Sequence, residues 1–178
     1  MRRIIVIAVL TLVAASDLIA QPSIVKPGPE HEFLKQGVGV WDATVKANGG
    51  EIKGELHCKM AAGDLWMLEQ FKMEIAGMPF EGYGATSYEP SKKKYVNVWI
   101  DSMVPSPMLS EGTYDKEKKT LTLNGTMTGP GGKSMKATVT ITYQNANSKV
   151  LALKTTGADG KETPMVEISY KRRITEKK

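Results

Sequence analysis

Between Val40 and Arg173 the chain breaks into about ten short runs, in each of which apolar and polar residues alternate. Only a handful of residues separate one run from the next. This spacing limits the fold more than any other feature. Alternation with period two over five to ten residues marks a half-buried strand. A parallel pair of strands needs a crossover of about a dozen residues or more, usually a helix. No interval here is long enough, so neighbours in sequence are expected to be antiparallel neighbours in space.

The runs are VWDATVKA, EIKGELHCKM, LWMLEQFKMEI, PFEGYGATSY, KYVNVWIDSM, LSEGTYD, TLTLNGTMT, SMKATVTITYQ, KVLALKTT and PMVEISYKRR. Between them lie turn-forming clusters, among them Asn48-Gly49-Gly50, Ala61 to Asp64, Glu89 to Lys93, Asp115 to Lys119, Gly129 to Gly132 and Gly157 to Gly160. A flat meander of this length would leave two open edges, and closure removes them. The expected fold is all-β, an antiparallel up-and-down barrel of about ten strands. A two-sheet sandwich is the alternative. A barrel of this size has more interior than its side chains must fill, so it has room for a small ligand.

The residues before the first strand divide in two. Arg2 and Arg3, the uncharged run Ile4 to Ala15, and Ala20 ahead of Gln21-Pro22 form the layout of a secretory signal peptide cleaved after Ala20. The apolar run is too short to cross a membrane comfortably. Residues 21–29 read as an extended, proline-rich lead-in. Pro29 is suited to the first turn of a short helix, with Glu30 and Glu32 at its positive end, running through Phe33 and Leu34 to about Gly37. Residues 30–173 form one domain, and 174–178 a basic tail.

Cleavage would leave 158 of the 178 residues and lower the net charge from +5 to +4. That mild excess, part of it in the tail, gives no reason to expect a nucleic-acid partner. Cys58 is the only cysteine, so no internal disulfide can form. It alternates with Leu56 and Met60 and reads as a small buried hydrophobe. His31 and His57 are the only histidines, and His57 shares a face with Glu55 and Lys59 that should be solvated. No zinc spacing, phosphate loop or nucleophile elbow is present. No metal or cofactor is expected. The scattered methionines read as core or as an adaptable apolar lining.

Gly39-Val40-Trp41 opens the first strand, and Val166, Ile168, Tyr170 and Arg172 share a face of the last. Closure would lay the Arg172 guanidinium over the Trp41 ring and let it bond backbone carbonyls. This pairing resembles the signature of the calycin superfamily, which includes the lipocalins. A longer set of segments, PGPEHEFL, Trp41-Asp42, GMPFEGYG, SYEPSKKKYVNVWIDSM, EGTYD, GADGKE and EISYKR, is similar to a secreted bacterial family, domain-of-unknown-function family 1579. The likeness runs from about Pro27 to Arg173 and implies an exported, lipocalin-like barrel with no known reaction. One departure is Gln36-Gly37-Val38, where members of the family carry a larger apolar or an acidic residue.

The candidate site residues come from strand faces of mixed character. Tyr95, Asn97, Trp99 and Asp101 share one face of their strand, and Val96, Val98 and Ile100 the other. Periodicity does not decide which face points inward. Glu69 sits among Met67, Phe71 and Met73 on a clearly buried face, where a carboxylate must be paired, hydrogen-bonded or protonated. Glu111 also lies inside a strand. One reading is a cavity lined by Glu69, Trp99, Asp101 and Glu111, walled by Phe80 and Tyr83, that binds a small hydrophobic or amphipathic molecule. A second is an envelope interaction module with a packed core and an exposed aromatic patch around Trp99 or Trp66. A third is a small hydrolase or isomerase using two of the carboxylates. No catalytic residue is assigned.

Overall fold

The computed structural model describes residues 25–47, 50–157 and 159–174. The segment expected to be a signal peptide, Asn48 and Gly49 of the first expected turn, and residues 175–178 of the expected basic tail lie outside these residues. A short helix, α1 (Pro29–Lys35), precedes ten strands: β1 (Gly39–Ala47), β2 (Gly50–Ala61), β3 (Trp66–Ile75), β4 (Met78–Glu89), β5 (Lys94–Asp101), β6 (Met108–Asp115), β7 (Thr120–Thr128), β8 (Ser134–Asn145), β9 (Ser148–Thr156) and β10 (Glu162–Arg172). Each strand pairs antiparallel with the next, and β1 pairs with β10, which closes the barrel. Among the described residues no helix is long and apolar enough to cross a membrane.

The expected pair meets where the barrel closes. Trp41 stands opposite Arg172 in the β1–β10 ladder, with the guanidinium 4.1 Å from the ring centroid. Arg172 donates to the carbonyls of Gln36 (2.7 Å), Ala146 (3.0 Å) and Val38. Trp41 Nε1 donates to the Gly37 carbonyl at 2.8 Å. Orphan carbonyls between α1 and β1 are thereby satisfied by two side chains from the closing strands. Gly39 has φ +127°, and a Cβ there would lie 2.7 Å from the arginine, so the approach needs glycine.

α1 plugs this end of the barrel. His31 Nδ1 accepts from the Gly28 N–H at 3.0 Å and starts the helix. Phe33 and Leu34 are buried, each worth about 1.5–3 kcal/mol. Phe33 stacks on Tyr114 at 3.7 Å and meets Tyr95 and Tyr143 edge-on. The half of the interior beneath α1 is therefore filled by the protein's own rings.

β5 ends two residues earlier than its alternation implies. The Asp101 carboxylate accepts from the backbone N–H of Met103 (2.8 Å) and Val104 (3.2 Å), which turns the chain out of the sheet. In β10 a bulge falls between Pro164 and Val166, where proline cannot donate to the ladder.

Candidate functional site at the open end of the barrel

The end opposite α1 has a different lining. Register across the sheet defines one inward-facing row. Cys58 lies opposite Glu69, Glu69 opposite Gly84, Gly84 opposite Trp99, and Trp99 opposite Met108. Leu109 pairs with Thr126, which brings Met127 level with Met108, and Met127 pairs with Met135. Strands in a barrel tilt by about 35–45°. The row therefore climbs from Cys58, near the α1 end, to Met135 at the opposite rim.

The mixed face of β5 is the inner one. Tyr95 and Asn97 are buried, whereas Val98 and Ile100 are exposed. Two local features decide this. Asn97 Nδ2 donates to Thr86 Oγ1 at 2.9 Å, so its amide has a partner inside. β4 also presents glycine where the indole lies. A Cβ at Gly82 would come within 2.2 Å of Trp99 Cζ2, and one at Gly84 within 3.3 Å of Trp99 Cε3 and 2.8 Å of Glu69 Oε2. The Trp99 ring thus lies against bare β4 backbone, and Glu69 reaches the space left at Gly84.

The candidate residues separate accordingly. Glu69, Phe80 and Trp99 share the interior. Phe80 meets Phe71 edge-on at 6.1 Å. Asp101 sits at the rim, where it accepts from Trp99 Nε1 at 3.1 Å in addition to its loop contacts. Tyr83 and Glu111 lie on the outer face and so cannot wall a cavity. The Tyr83 hydroxyl donates to Glu81 at 2.6 Å, and that bond, with those from Gln70 and Lys72, holds the Glu81 carboxyl down at about 2. Glu111 accepts from Lys94 at 2.5 Å, which lowers its pKa. The three carboxylates proposed for acid–base work are therefore not gathered. Glu69 and Asp101 stand two strands apart with the indole between them, and Glu111 faces solvent. The patch expected around Trp99 is composed instead of Tyr83, Val98, Ile100 and Leu109 on the outer wall of β4, β5 and β6.

Glu69 lies deep within the barrel but keeps part of its surface accessible, so it borders open space. Burial pushes its carboxyl above the ordinary range. The Lys149 ammonium and the Cys58 thiol, which donates to Oε1 at 3.8 Å, pull the other way. Burial and Glu69 together push the Cys58 thiol up to about 12, so it stays protonated and inert at neutral pH. Among the described residues no group of three or more His, Cys, Asp or Glu could hold a metal ion.

Two features were missed in the sequence. Lys149 is buried, with its ammonium 4.6, 5.2 and 5.7 Å from the ring centroids of Trp41, Tyr170 and Tyr143. Its place on the inner face of KVLALKTT was the available signal. The methionines are also not scattered. Seven of the ten, at 73, 78, 103, 108, 127, 135 and 165, lie at strand ends or loops on the rim away from α1. Only strand direction around a closed barrel shows this.

A family model described as "Protein of unknown function (DUF1579)" matches residues 26–172. The chain belongs to this family. Among solved structures, Rv2717c from M. tuberculosis is similar at 12% identity and TM-score 0.57, over 83% of this chain and 99% of that one. The S-type phycobiliprotein lyase CPES from Guillardia theta is similar at 13% identity and TM-score 0.56, over 83% and 94%. At such identities the DUF1579 chain shares a barrel fold with them. No curated protein matches its sequence.

Proposed function

We propose that this DUF1579 protein is an exported barrel that binds a small hydrophobic or amphipathic molecule at its open end. One observation carries the reading. The α1 half of the interior is filled by the buried rings of Phe33, Trp41, Tyr95 and Tyr143, whereas inward apolar residues at the other end, including Met73, Phe80, Trp99 and Met108, are only partly covered. Unbranched thioethers around an aromatic floor make an apolar surface that adapts to its occupant. Decanol should bind the full chain in a one-to-one complex that shifts tryptophan emission to the blue. Trp99→Ala should weaken it about tenfold or more, and Tyr83→Ala on the outer face should leave it unchanged. Equal affinity in all three proteins would place the binding elsewhere and end this reading.

Export is supported by the basic, apolar and small-residue order of residues 2–20. Mass spectrometry of the protein from its host should give a chain starting at Gln21. A chain that keeps residues 1–20 and fractionates with the cytoplasm would contradict it.

A further inference from the structure

The open end also carries a polar preference, and this inference rests on the binding site proposed above. Among the described residues four charged side chains lie on the inner face near the row that climbs to the rim, and three are already committed. Arg172 is spent on three backbone carbonyls and the Trp41 ring. Lys149 is 2% exposed beneath Trp41, Tyr143 and Tyr170. Asp101 accepts from Trp99 and from two loop N–H groups. Glu69 alone has capacity left. Among the described residues its one hydrogen bond is the weak donation from Cys58 to Oε1, and Oε2 and the Trp99 ring both border the space over Gly84.

We infer that the site takes a molecule with an apolar body and a hydrogen-bond-donating, preferably cationic, end, an alkyl or aryl amine before an alcohol, and discriminates against carboxylates. The body would lie against Trp99, Phe80 and the rim methionines, with the donor meeting Glu69 Oε2. A carboxylate entering the same way would set a second carboxyl against a buried one, and the Lys149 ammonium that acts on Glu69 is closed off by rings. An ammonium would neutralise Glu69 where water is scarce, which is where a charged hydrogen bond is worth most. The chain's net charge of +5 acts in the opposite sense and would favour anions non-specifically. A preference for the amine therefore cannot come from the overall field.

The test uses the full chain at pH 7 with decylamine, decanol and decanoate, each below its micelle concentration or solubility limit, with binding followed by calorimetry. The expected order is decylamine, decanol, decanoate, with about tenfold or more between first and last. Glu69→Gln should bring the amine to within about twofold of the alcohol and leave decanol binding in place. Glu69→Met, which keeps the volume, serves the same purpose should the glutamine variant melt early. Decanoate binding as tightly as the amine, or an amine preference surviving in both variants, would overturn this inference while leaving the apolar site standing. Binding of none of the three would remove the site itself, and the inference with it.

Discussion

Replacing Trp41 with alanine is expected to cost about 3–5 kcal/mol, the range for deleting a large buried aromatic side chain. Trp41 is 0% exposed and its ring is met by two cations, the Arg172 guanidinium at 4.1 Å and the Lys149 ammonium at 4.6 Å. Its removal opens a cavity, leaves Lys149 with two rings instead of three, and frees the Gly37 carbonyl that Nε1 had satisfied. Small domains are stable by only about 5–15 kcal/mol, so the loss takes a large share of the total. Urea unfolding should show a much lower midpoint with little change in slope, since the surface exposed on unfolding barely changes. Trp41→Phe should fall between, keeping a ring and losing the donor. A loss below about 1 kcal/mol in the alanine variant, accompanied by loss of decanol binding, would make Trp41 a ligand contact and refute its role in closure.

The contrast between this residue and the rim shows which parts of the molecule the sequence carries openly. Closure could be read because it depends on a few residues at fixed places, Gly39, Trp41 and Arg172, on strands that a closed meander must join. The strand order could be read because short turns leave no other connection. The orientation of β5 could not. Val98 and Ile100 look like core in KYVNVWIDSM, and they are outside. Trp99 is inside because Gly82 and Gly84 on the neighbouring strand make room for a flat indole, a fact held in the register between strands. Glu69 was legible from its own strand, where it alternates with Met67 and Phe71. Glu111 was not, because its partner Lys94 becomes a neighbour only across the β5–β6 ladder, and Tyr83 was not, although Glu81 lies two residues away on the same face of β4, because the alternation of PFEGYGATSY does not say which face points inward. The methionine rim needs one step more, since it appears only when every second strand is reversed around the circle.

Gly82 gives the sharpest test of this arrangement, because two physical rules predict opposite outcomes for Gly82→Val. Intrinsic strand preference says that valine should stabilise β4, where glycine packs nothing and has more freedom to lose on folding. The geometry says otherwise. A Cβ at Gly82 would sit 2.2 Å from Trp99 Cζ2 and 2.7 Å from Cη2, in the rigid part of the indole. The ring cannot give way by a few tenths of an ångström; it must leave the β4 backbone and break its bond to Asp101. Overpacking of this kind costs about 1–3 kcal/mol, more than strand preference returns. The variant should therefore be less stable than the parent, its tryptophan emission should move to the red, and decanol affinity should fall about tenfold or more as the indole wall is lost. A more stable variant with unshifted emission would mean that Trp99 does not rest on β4. The glycines would then only relieve local strain, and the row from Glu69 to Met108 would lose the residue that makes it a binding surface.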